Sequence, residues 1–124
     1  MAKSEHQEQV AFIHAAKKYL VATGNEYMKP LLFAIPNGGK RDHRTAASLK
    51  MEGVRAGVPD LFFAKPTKSA YGLFIEMKKV VGGAVSKDQK KMLEALEDEG
   101  YVCRVARGGD QAIQIFKDYI EDRI

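Results

Sequence analysis

The chain has 124 residues, which leaves room for one hydrophobic core and not two, so a single domain over residues 1–124 is expected. A hydrophobic share of 45% is ordinary for a globular protein, and the lone Cys103 excludes an internal disulfide or a cysteine-built zinc cage. A net charge of +4 leans toward an anionic partner; no apolar run reaches the roughly 20 residues of a membrane span, and no signal peptide opens the chain.

Ser4 followed by Gln7 has the spacing of a capping box and predicts a helix to about Thr23. Val10, Ile13, Ala16, Tyr19 and Leu20 recur at helical spacing as its expected buried face. After Gly24-Asn25 and Pro30, the run Leu31–Ile35 reads as a buried strand, and Pro36-Asn37-Gly38-Gly39 as a loop. Asp42 is the expected cap of a second helix through Met51, with Ala46, Ala47 and Met51 inward and Gly53 as its stop. Leu61–Ala64 and Tyr71–Ile75 are expected to form an antiparallel hairpin across Lys65–Ser69. Ser86 with Gln89 is a second capping box, opening a helix that turns Met92, Leu93 and Leu96 to the core and ends at Gly100. Tyr101–Val105 is the last strand, with Cys103 read as a buried thiol. A final helix capped by Asp110 carries Ile113, Phe116 and Ile120 on one stripe. The order α-β-α-β-β-α-β-α predicts an α/β fold of three layers, a mixed four-stranded sheet with helices on both faces.

Chemistry concentrates in two places. Asp60 stands at the head of one predicted strand, and Glu76-Met77-Lys78 at the end of the next. Side chains alternate along a strand, so Glu76 and Lys78 must emerge on one face while Met77 points to the other. Two carboxylates able to share a divalent cation, beside an ammonium, are the parts needed to activate water against a phosphodiester. Basic residues flank this stretch: Lys40, Arg41, Arg44, Lys50 and Arg55 before it, and Lys87, Lys90 and Lys91 after it. The Asn37–Arg41 loop offers close backbone approach and two cations, which suits phosphate contact. It lacks the glycine spacing and Lys-Ser/Thr of a nucleotide-hydrolase phosphate loop.

Taken together, Ser4-Glu5 with Gln9, Ile35-Pro36-Asn37-Gly38-Gly39, Gly57-Val58-Pro59-Asp60, and Ile75-Glu76-Met77-Lys78 with Gln89 resemble the PD-(D/E)XK nuclease superfamily. Within it they resemble the stand-alone virus-type replication-repair nucleases, VRR-NUC. The resemblance implies that Asp60, Glu76 and the Met77 carbonyl bind Mg²⁺ or Mn²⁺, and that Lys78 orients or helps deprotonate the attacking water. It implies a site role for Glu5, with Glu8 as the competitor; an acid in the first turn of a helix is also explained by the helix dipole alone. Gln89 is likewise implied in the site, although a capping box already accounts for a glutamine there. Asn37, Lys40, Arg41 and Arg44 are the expected nucleic-acid contacts. By resemblance the protein is expected to be a homodimeric endonuclease acting on branched or four-way-junction DNA. A cytoplasmic location follows, the host cytoplasm if the chain is viral. A non-catalytic DNA-binding module on the same fold is the alternative.

Overall fold

The computed structural model describes residues 2–36 and 45–124. Ser4 caps the first helix, α1 (Glu5–Ala22), through the expected reciprocal pair of hydrogen bonds with Gln7, and Thr23 closes it. Its buried stripe is Glu8, Phe12, Ala16 and Leu20, four residues apart throughout, and Val10 is 54% exposed. The expected face was therefore rotated: Ile13 and Tyr19 lie at its margin, and Val10 points to solvent. A charged residue heads the true stripe, so a hydrophobic count alone misplaced its centre.

A 3₁₀ turn over Glu26–Leu31 precedes the first strand, β1 (Leu32–Ala34), where the sequence suggested strand from Leu31. The Glu26–Lys29 ion pair at 3.3 Å matches its three-residue repeat, and Met28 is buried beneath it. β1 is an edge strand with Phe33 and Ala34 exposed, not a buried one. The second helix, α2 (Ala46–Met51), is capped by the Thr45 hydroxyl, which accepts from the Ser48 amide. Leu49 is its buried residue; Ala46 and Ala47 are exposed and Met51 is 89% exposed, correcting the inward face assigned to them. Asp42, the expected cap, lies outside the described residues.

β2 (Leu61–Phe63), β3 (Leu73–Lys78) and β4 (Val102–Arg107) complete a sheet in the order β1-β2-β3-β4. The first two pairings are antiparallel and β3–β4 is parallel, which makes the sheet mixed. The parallel pair requires a crossover, and α3 (Lys87–Asp98) supplies it. Its capping box between Ser86 and Gln89 is present as expected. The last helix, α4 (Gly109–Ile120), begins after Gly108 and not at Asp110, which sits in the first turn.

Strand alternation sorts the side chains into two layers. Leu61, Phe63, Leu73, Ile75 and Met77 face α1 and α4, where Phe63 and Phe12 both meet the Phe116 ring. Phe62 and Phe74 stack on the opposite face, with Tyr101 against them, on the side of α3. Cys103 is buried, and burial pushes its thiol up to about 12, which keeps it protonated and inert. Among the described residues no helix is long and apolar enough to cross a membrane.

Candidate active site

β2 and β3 pair antiparallel with Leu61 opposite Ile75, so Asp60, one step before Leu61, lies beside Glu76. Register alone therefore brings together residues separated by the whole hairpin. The Asp60 carboxylate is held in place by the Met77 amide, which donates to Oδ2 at 2.7 Å. Met77 itself is wholly buried on the other face, and Glu76 and Lys78 emerge together, with Lys78 Nζ 3.6 Å from Glu76 Oε2. Both charged residues are buried, Glu76 at 3% exposure and Lys78 at 8%.

Gln89 joins them from α3. Its Oε1 accepts from the Ser86 amide at 2.8 Å, completing the helix cap, and its Nε2 donates to Glu76 Oε2 at 2.9 Å. The cap and the site contact use opposite ends of one amide, so they are compatible. The cap fixes the rotamer, and the fixed rotamer aims the donor.

The electrostatics of the cluster are unbalanced. Glu76 is pushed up from its ordinary 4.5 to about 7, first by burial and then by the negative charge of Asp60; Lys78 pulls the other way and does not offset them. Glu5 adds a smaller upward push, which places its charge within reach of the same spot from the head of α1. Glu8 is engaged elsewhere. Its Oε1 accepts from the Gly109 amide at 3.0 Å in a buried bond that caps α4.

A pair of crowded carboxylates of this kind is relieved by a proton or by a cation. Among the described residues no three His, Cys, Asp or Glu side chains converge as a metal cage. The available donors are thus oxygens from Asp60 and Glu76 supplemented by backbone carbonyl and water, a set that suits a hard cation keeping part of its hydration shell. The four expected nucleic-acid contacts, Asn37, Lys40, Arg41 and Arg44, lie outside the described residues.

A family model for the VRR-NUC domain matches residues 2–110. The chain belongs to the VRR-NUC family. A solved structure described as a VRR_NUC domain protein is similar with a TM-score of 0.81 and 27% identity, over 98% of this chain and 91% of that one. A search among curated proteins finds no match. VRR-NUC membership carries a nuclease-type function, and the α/β fold with its mixed, helix-flanked sheet agrees with that of the solved relative.

Two features of this VRR-NUC site escaped the sequence. Arg107, opposite Lys78 in the β3–β4 register, donates to the carbonyls of Gly82 at 2.6 Å and Gly83 at 2.8 Å, and so ties down the segment that follows Lys78. Nothing local marks an arginine at a strand end for that task. The second is a cleft beside Gln89, formed by residues 46–58 and the start of α3. It exists only because segments some 30 residues apart meet, and no motif encodes it.

Proposed function

We propose that this VRR-NUC chain is a Mg²⁺- or Mn²⁺-dependent DNA endonuclease, selective for branched DNA of the four-way-junction kind and acting as a homodimer. The observation that carries the reading is the convergence of Asp60, Glu76 and Lys78 on one sheet face, with Glu76 pushed up to about 7 by burial and Asp60. Placing a second acid beside the buried Glu76 is costly unless something positive is shared between them. Asp60 and Glu76, with the Met77 carbonyl, would hold the cation. When bound, it would supply Lewis-acid polarisation of a phosphate oxygen and acidify a water.

The remaining chemistry belongs to the chain itself. The Lys78 ammonium, held in a buried position beside Glu76, orients the attacking water and offsets charge that builds on the phosphate. Gln89 fixes one oxygen of Glu76 and so orients its carboxylate. Glu5 contributes negative charge at the rim. Asn37, Lys40, Arg41 and Arg44 are the proposed phosphate contacts, on grounds of sequence.

Incubation with labelled linear, nicked, flap and four-way DNAs in Mg²⁺ or Mn²⁺ tests the reading directly. Cleavage that prefers the four-way substrate and disappears in EDTA is expected. Binding without cleavage of any of them would favour the non-catalytic module instead.

A further inference from the structure

The cleft beside Gln89 has a volume of about 750 Å³ and opens between α2, the Gly53–Val58 turn and the first turn of α3. That lies within the roughly 300–1,000 Å³ of sites that take one small ligand. Its walls combine two chemistries. Leu49 is buried and Val54 half-buried, giving an apolar floor, while Lys50 and Arg55 are exposed at the rim. Neither cation forms an ion pair among the described residues. Asp88 lines the wall formed by α3, and Gln89, which shares that wall, hydrogen-bonds to Glu76. The cleft and the candidate site therefore adjoin at one side chain.

The turn that forms the cleft is built to lie close to α3. Gly57 has φ of +87°, and a Cβ there would stand 2.6 Å from the Asp88 carbonyl carbon and oxygen. Only glycine lets the two backbones meet in this way.

We infer that this cleft seats one unpaired nucleotide of the DNA strand next to the bond to be cut. The inference rests on the nuclease reading for its location and on the cleft for its chemistry. A nucleotide has an apolar base face and an anionic phosphate, and the cleft offers Leu49 and Val54 to the one and Lys50 and Arg55 to the other. The cations set the direction, with phosphate toward Lys50 and Arg55 and the base toward the apolar floor. A base still paired in a duplex presents only its groove edges and leaves the apolar floor unused. The four-way junction meets this requirement where its branch point opens and leaves a nucleotide unpaired beside the cut.

The test is binding, measured without cleavage. Fluorescence anisotropy in EDTA compares a labelled oligothymidylate with a labelled hairpin duplex. Replacing both Lys50 and Arg55 with alanine is expected to weaken oligothymidylate binding about tenfold and to flatten its salt slope by about 1.4, two phosphates at about 0.7 each. Duplex binding should change much less. Val54→Trp, which fills the floor, is expected to remove oligothymidylate binding while sparing the duplex. Equal losses on both probes, or no loss from the double alanine variant with its circular dichroism unchanged, would overturn the proposal. A wild-type protein that shows the expected selectivity yet cuts nothing would refute the nuclease reading, and with it the position beside a cut, and leave the seating of one unpaired nucleotide standing.

Discussion

Glu76 is the residue on which the candidate site turns, and its titration has a definite sign. Its folded-state value of about 7 lies above the ordinary 4.5, so the metal-free fold prefers Glu76 protonated. The stability this contributes is fully present below about 4.5 and is lost as pH rises through about 7. A bound cation competes with that proton. The rise in Tm on adding Mn²⁺ should therefore grow between about pH 6 and about pH 8, as read by thermal denaturation; a shift of the same size at both values would show that Glu76 is not a ligand. Glu76→Gln keeps the shape and removes the charge. It should raise the Tm of the metal-free protein at about pH 8 while lowering cleavage by a hundredfold or more, on the order of what one catalytic group supplies. Near-normal cleavage by this variant would remove Glu76 from the mechanism. The meeting of Asp60, Glu76 and Lys78 was legible in the sequence because strand alternation and hairpin order are local rules. Which of Glu5 and Glu8 is taken up by α4 was not, because α4 lies about a hundred residues away.

At the scale of elements, the site depends on how helices are fastened to the sheet. Glu8 caps α4 through a buried bond to the Gly109 amide. Glu8→Ala should cost about 1–3 kcal/mol in chemical denaturation by orphaning a buried amide, whereas Glu8→Gln, which retains an acceptor, should cost less. Gly57 fastens α3. Gly57→Ala meets both a positive φ and the Asp88 backbone, and α3 must move, taking Gln89 away from Glu76. Gly53→Ala is the matched control, with φ of +99° and open space around the added carbon. Both variants should lower Tm through backbone strain, but only Gly57→Ala should also depress cleavage in proportion beyond its loss of stability. Equal cleavage by the two variants would show that the seating of α3 does not matter to the chemistry.

For the whole molecule, cutting a junction depends on association. Resolving a four-way junction needs paired cuts, and a two-fold dimer supplies two equivalent sites about one axis. Tyr71, Val80 and Val81 are exposed at 69%, 57% and 81%, apolar surface of the kind an interface covers. Light scattering at micromolar concentration, with and without a four-way junction, should show a dimer in the presence of the junction at least. A monomer that still makes symmetric paired cuts would sink the dimer and leave the nuclease reading intact.

The sequence by itself determined the order of elements, both capping boxes, the antiparallel hairpin and the shared face of Glu76 and Lys78, because each follows from rules that span only a few residues. Those rules failed where tertiary packing outweighed them. Val10 and Met51 look inward by periodicity and are exposed, because a helix buries the stripe its neighbours select, and here that stripe runs through Glu8 and Leu49. Only the tertiary structure decided that Gln89 binds the helix cap and Glu76 at once, that Glu8 belongs to α4, and that a cleft opens between residues 46–58 and α3. Each of these is a meeting of distant segments, and its energy resides in contacts that no local stretch of chain contains.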